Sequence, residues 1–156
     1  MEKAFLKMVD EHQRIIYQVC RMYRDTREDQ EDLFQEIVFQ LWKSFPSFRN
    51  ESKISTWMYR IALSTSIATF RKKSLPLDFH ENIPEAFHPR EVEDIPENEA
   101  RMYEALRSLD TAERAIISLY LEDYSYREIA EITGFSENNV GVKINRIKTK
   151  LKSILN

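Results

Sequence analysis

The residues best equipped for chemistry lie in "YSYREIAEITGFSENNVGVKINRIKTKLK", Tyr124 to Lys152, which holds both glycines of the chain, Gly134 and Gly141. Ala130, Gly134 and Val140 have the spacing of a helix-turn-helix: a small residue where two helices approach, a glycine for the left-handed turn, and a Val packed in the angle. Ser125 with Glu128 has capping-box spacing, and Ser136 is placed to cap the last helix. Ile129, Ile132 and Phe135 are expected to face the core, and Val140, Ile144, Ile147 and Leu151 form the buried seam of that helix. At about 100° per residue the opposite side presents Asn138, Val142, Asn145, Arg146 and Thr149, with Gly141 and Lys152 at its edge. Amides, an Arg and methyl-bearing side chains are the types that read base edges in a major groove. Lys143, Arg146, Lys148, Lys150 and Lys152 follow one another with no acid between, suiting a phosphate backbone. A plain helical hairpin with a solvated face would also be Lys-rich, but it does not need the Ala/Gly/Val frame. The segment is expected to bind DNA.

Catalytic patterns do not emerge elsewhere. The sequence has no Gly-rich phosphate loop, nucleophile elbow or HExxH. His80 and His88 stand near Glu81, Glu85 and Glu91, but in a proline-rich acidic stretch, where such residues more often stay solvated than bind metal. No metal, cofactor or enzymatic activity is expected. Cys20, in "IIYQVC", reads as a small buried hydrophobe. The longest apolar runs are three or four residues, so membrane insertion is not expected and the cytoplasm is the expected location.

Long segments of Leu, Ile, Glu, Arg and Lys in a chain of 156 residues, 42% hydrophobic, predict an all-α protein. "FLKMVDEHQRIIYQVCRMY" and "EDLFQEIVFQLWKSF" repeat apolar residues at helical spacing, and a third helix is predicted to start at an N-capping Ser55. All five prolines fall between positions 46 and 96. Residues 75–97 therefore read as a linker between two small helical domains, 1–74 and 98–156, of three and four helices. In the second domain Asp110 and Glu113 form another capping-box pair. The net charge of −3 is unevenly spread: residues 1–75 carry 13 Lys/Arg against 10 Asp/Glu, residues 76–98 one against seven, and residues 124–156 six against three.

Within the first domain, Asp32, Gln35 and Glu36 have i, i+3, i+4 spacing and share a helix face. Spacing alone favours a solvated acidic face there. Phe48 to Lys53, then Trp57, Tyr59 and Arg60, then Arg71, Lys72 and Lys73, offer aromatic platforms and cations of the kind that single-stranded DNA needs. Trp57, Ile61, Ser64 and Ala68 lie on one stripe, so Trp57 reads equally well as core.

The whole chain resembles the extracytoplasmic-function (ECF) group of sigma-70 family RNA polymerase sigma factors. "EDLFQEIVFQLWKSFPSFRNESKISTWMYRIA" looks like the first-domain signature and "YSYREIAEITGFSENNVGVKINRIKTKL" like the second. The resemblance implies a sigma factor that binds core RNA polymerase and directs promoter recognition and transcription initiation. It implies contact of Asp32, Leu33, Phe34, Gln35 and Glu36 with the β′ clamp helices, and of the chain with the β flap. Minus-10 recognition and melting fall on Phe48, Arg49, Asn50, Lys53, Ile54, Trp57, Tyr59, Arg60, Ser64, Arg71, Lys72 and Lys73. Ser64 stands where relatives often have Asn, and Ile54 where an aromatic is common. Minus-35 recognition falls on Arg127, Ser136, Asn138, Gly141, Val142, Asn145, Arg146, Lys148 and Lys150, with Gly141 where many relatives carry a base. An anti-sigma factor is a further implied partner. A stand-alone helix-turn-helix regulator would not need the "DLFQE" and "TWMYRIA" segments. A polymerase-binding adaptor that melts no DNA would not need the basic-aromatic third helix.

Overall fold

The computed structural model describes residues 1–71 and 96–156, and every regular element among them is helical. The chain divides into two units, Met1–Asp94 and Ile95–Asn156.

In the first unit α1 (Glu2–Tyr23), α2 (Arg27–Ser44) and α3 (Ile54–Arg71) each pack on the other two. Phe5, Val9, Ile16 and Val19 of α1 meet Leu33, Ile37, Val38 and Leu41 of α2 and Met58 and Ala62 of α3 in the buried core. α1 is interrupted at His12 (φ −118°, ψ 19°), beside buried Gln13, whose amide donates to Asp10 at 3.3 Å. Cys20 is buried as expected, and desolvation pushes its thiol well up, against the lowering influence of Arg24 and Arg21. Thr26 caps α2 by accepting from the Asp29 amide at 3.2 Å. Pro46 ends the helical run in a 3₁₀ turn, Phe45–Ser47.

Two features fix α3. Arg24 donates to the Thr69 hydroxyl at 2.9 Å and to the Ser66 carbonyl at 3.4 Å, tying the end of α1 to the second half of α3. At the other end an aromatic cluster holds its first turn, with Phe48 and Phe45 at 4.8 and 6.3 Å from Trp57 and Phe5 at 5.4 Å from Phe45. The helix begins at Ile54, and the Trp57 amide bonds to the Lys53 carbonyl, so Ser55 lies inside the first turn and is not its cap.

The second unit consists of α4 (Glu97–Arg107), α5 (Thr111–Leu121), α6 (Tyr126–Thr133) and α7 (Glu137–Leu155). Asp110 and Ser125 each close a complete capping box, with Glu113 and Glu128 respectively. Such boxes satisfy two amides at a helix start, at about 1 kcal/mol for the cap. Gly134 ends α6 at φ 87° with its amide on the Ala130 carbonyl at 2.9 Å, and Ser136 accepts from Asn139 to start α7 at once. α7 is the spine of the unit and packs on α4, α5 and α6. Val140, Ile144, Ile147 and Leu151 are its buried seam, against Ile116, Leu119 and Ile129. Ile132 and Phe135 are half-buried at the margin of that core.

Candidate nucleic-acid and polymerase interface

With the seam of α7 turned inward, Asn138, Val142, Asn145, Arg146 and Thr149 stand exposed together, and Val142 keeps 42% of its surface in water. A large aliphatic side chain held in solvent by the register of its own helix is a ready contact for a thymine methyl group. The two flanks of α7 are less free than the sequence suggests. Lys150 pairs with the mostly buried Glu113 carboxylate at 2.9 Å, and Lys148 donates to the Tyr120 hydroxyl at 2.7 Å. Lys143 lies over the Phe135 ring at 5.1 Å. Lys148 and Lys150, expected at phosphate, are both tethered to α5, because long side chains on a flank reach back to the neighbouring helix.

Gly141, also expected at the minus-35 element, lies under an aromatic ring. A Cβ there would come within 3.2 Å of the Tyr126 ring, so the missing side chain is the seat of that ring at the start of α6. Arg127 is exposed beside Glu131, at 3.7 Å, and the exposed Ser136 hydroxyl is engaged in its cap.

On α3 the stripe of Trp57, Ile61, Ser64 and Ala68 is not the one that forms the core. Packing against α1 and α2 buries Met58, Tyr59, Ala62, Leu63 and Ser66, leaving Trp57 and Ile61 half-buried and Arg60, Ser64 and Ala68 exposed. Tyr59, expected at DNA, is therefore buried, its hydroxyl donating to Gln18 at 3.2 Å. Trp57 is half-buried: one part belongs to the aromatic cluster and the other reaches solvent. Phe48 and Ile54 are also half-buried, while Arg49, Asn50, Lys53, Arg60 and Ser64 are exposed. Asn50 adopts the left-handed conformation, φ 58°, that turns the loop between Phe48 and α3. Ser64 donates to the Arg60 carbonyl at 2.7 Å, which commits its proton and leaves its oxygen as an acceptor toward solvent.

The α2 motif divides similarly. Asp32 and Gln35 are exposed, but Leu33 and Phe34 are core and Glu36 is buried, 8% exposed, against the expectation that it lies open to a partner. The reason is register: Glu36 follows Leu33 by one helical turn, between Ile37 and the α1 contact of Phe34 with Tyr17 at 4.5 Å. Arg71 is the last residue of α3, and Lys72, Lys73, His80 and His88 lie outside the described residues, as does most of the expected linker.

Residues 8–75 match the Sigma-70 region 2 family and residues 99–151 the Sigma-70 region 4 family. The sequence is 31% identical to the RNA polymerase sigma factor SigV of Bacillus subtilis, over 88% of this chain and 82% of that protein. It is 30% identical to the ECF RNA polymerase sigma-E factor of Haemophilus influenzae, over 97% and 87%. This chain is an ECF sigma factor of the sigma-70 family. Its fold agrees: the sigma factor RpoE, solved with the anti-sigma factor NepR from Bartonella quintana, superposes with a TM-score of 0.69 at 20% identity, covering 98% of this chain and 94% of that one. CnrH, solved with the cytosolic domain of CnrY, gives 0.68 at 21% identity over 99% and 89%. As a sigma factor it directs transcription initiation, and its family binds core RNA polymerase and promoter DNA. Sigma factors are in general non-enzymatic regulators. Among the described residues no helix is long and apolar enough to cross a membrane.

Proposed function

We propose that the labour is divided between the two units. Exposed Asp32 and Gln35 on α2 engage the β′ clamp helices, with Leu33, Phe34 and Glu36 holding that face from below. The outward stripe of α3, Trp57, Arg60, Ile61 and Ser64, together with Phe48, Arg49, Asn50 and Lys53, recognises and opens the minus-10 element. The outer face of α7 reads the minus-35 element through Asn138, Val142, Asn145 and Arg146, with Arg127 and the first turns of α6 and α7 toward phosphate. The observation that carries this reading is the separation on α7 of a buried aliphatic seam from an exposed face of amides, Arg and Val. A DNA-reading helix must anchor one side and leave the other bare.

The protein works in the cytoplasm, carries out no chemistry of its own, touches the β flap through its second unit, and is held inactive by an anti-sigma factor. The decisive assay adds the chain to core polymerase and a randomised promoter library, then sequences the templates transcribed. A common pair of elements is expected among them. In the same assay Asn145→Ala should broaden the preference in the minus-35 element, since one amide contact to a base edge discriminates by about 1 to 3 kcal/mol. Equal loss on selected and scrambled templates would sink its base-reading role.

A further inference from the structure

The two flanks of α7 treat their lysines differently. The charge of Lys150 is cancelled by the Glu113 carboxylate at 2.9 Å. Lys148, on the opposite flank, has its ammonium on the Tyr120 hydroxyl at 2.7 Å and 4.5 Å from the centre of the same ring. A phenol is a neutral acceptor: it fixes where the ammonium sits and leaves the charge intact. That hydrogen bond also raises the affinity of Lys148 for its proton. An oxygen that accepts from a cation still has its own O–H to give, and becomes the better donor for it. Two unlike donors, ammonium and phenol, therefore lie side by side with one uncompensated positive charge. The Tyr126 ring, seated over Gly141 and 6.3 Å from Tyr120, continues the same flank.

We propose that Tyr120 and Lys148 form a clamp for one DNA backbone phosphate, with Tyr120 as the residue that sets the clamp's geometry. The proposal rests on α7 entering the major groove. A helix with its side chains is about 10 to 12 Å across and the groove about 12 Å wide, so side chains on a flank meet the phosphate walls while the outer face meets bases. Lys148 lies about 60° around the helix from Asn145, which puts it at such a wall.

The probe is the duplex pool that unaltered holoenzyme selects from a randomised library, bound by holoenzymes carrying Tyr120→Phe, Lys148→Gln or both, between about 50 and 200 mM salt. Tyr120→Phe keeps the ring and is expected to weaken binding about fivefold, one hydrogen bond's worth, across the whole pool. Lys148→Gln should lower the salt slope by about 0.9, one phosphate's worth. The double variant should lose less than the product of the two single losses, and no variant should change the sequences preferred. Wild-type affinity for Tyr120→Phe overturns the clamp, as do multiplicative losses. Weakened binding to core polymerase in place of DNA overturns it too, assigning the pair to an acidic protein surface. If Tyr120→Phe lowers the melting temperature, Lys148→Arg gives an independent reading: it keeps the charge and loses the fit, so affinity should fall at unchanged slope, and wild-type affinity overturns the clamp. Asn145→Ala separates the two ideas. If it leaves sequence preference unchanged while Lys148→Gln still lowers the slope, the minus-35 reading fails and the phosphate clamp stands.

Discussion

At the scale of single residues, burial decides which member of a charged motif can meet a partner. Asp32 is exposed and Glu36, four positions on, is not. Asp32→Arg is expected to leave the fold within about 0.5 kcal/mol of wild type, as exposed substitutions do, while abolishing capture of core polymerase in a pull-down. Glu36→Arg forces a guanidinium into a buried position and should destabilise the unit by roughly 3 kcal/mol, so its loss of binding would report unfolding. Urea melts of both variants tell the cases apart. A similar division holds on α7. Lys150 faces Glu113, whose side chain is 12% exposed and also accepts from the Asp110 amide at 3.2 Å. Lys150→Ala is therefore expected to cost about 1 kcal/mol of stability, kept small because the ammonium remains partly wet, and to change the salt slope of DNA binding little. A full unit's fall in slope with unchanged stability would return Lys150 to the phosphate contacts.

At the scale of elements, the two glycines make opposite predictions. Gly134 has φ 87° and open space where a Cβ would go, so Gly134→Ala suffers from backbone strain alone, about 1 kcal/mol, and should lower the melting temperature. Gly141 sits within α7, where Ala is favoured by roughly 1 kcal/mol, and its Cβ would press on the edge of a half-buried Tyr126 ring that can swing aside. Gly141→Ala should hold or raise the melting temperature. A marked fall would mean that the Tyr126 ring cannot move. Elements of this kind were legible in the sequence because their signals are local: both capping boxes, the Gly134 turn and the α7 seam depend on residues within one or two helical turns. The α3 stripe was not legible, since Trp57/Ile61 and Met58/Ala62 are both apolar at helical spacing and only packing against α1 and α2 chooses between them. Tyr120 gave no signal at all. Its partner is 28 residues away, and one aromatic in "ISLYLED" looks like any other.

At the scale of the whole molecule, charge is arranged along the chain in blocks. Residues 1–75 carry 13 Lys/Arg against 10 Asp/Glu and residues 124–156 six against three, while residues 76–98 carry one against seven. An acidic segment tethered between two DNA-binding units would compete with phosphate for their cations, reducing the number of phosphates the protein neutralises and so of counterions released from DNA. The free chain should consequently bind promoter duplex less well than its basic faces allow. Glu91, Glu93 and Asp94 lie outside the described residues, whereas Glu97 opens α4, where a carboxylate favours the helix N-terminus and is best left in place. Neutralising the first three, Glu91→Gln, Glu93→Gln and Asp94→Asn, is expected to raise the free chain's affinity for the selected duplex pool at low salt. The gain should fade as the screening length falls toward about 8 Å at physiological ionic strength. A gel-shift titration at low salt in which the triple variant binds no better than wild type would reduce the segment to a tether. A gain that persists undiminished at high salt would rule out charge competition as its cause.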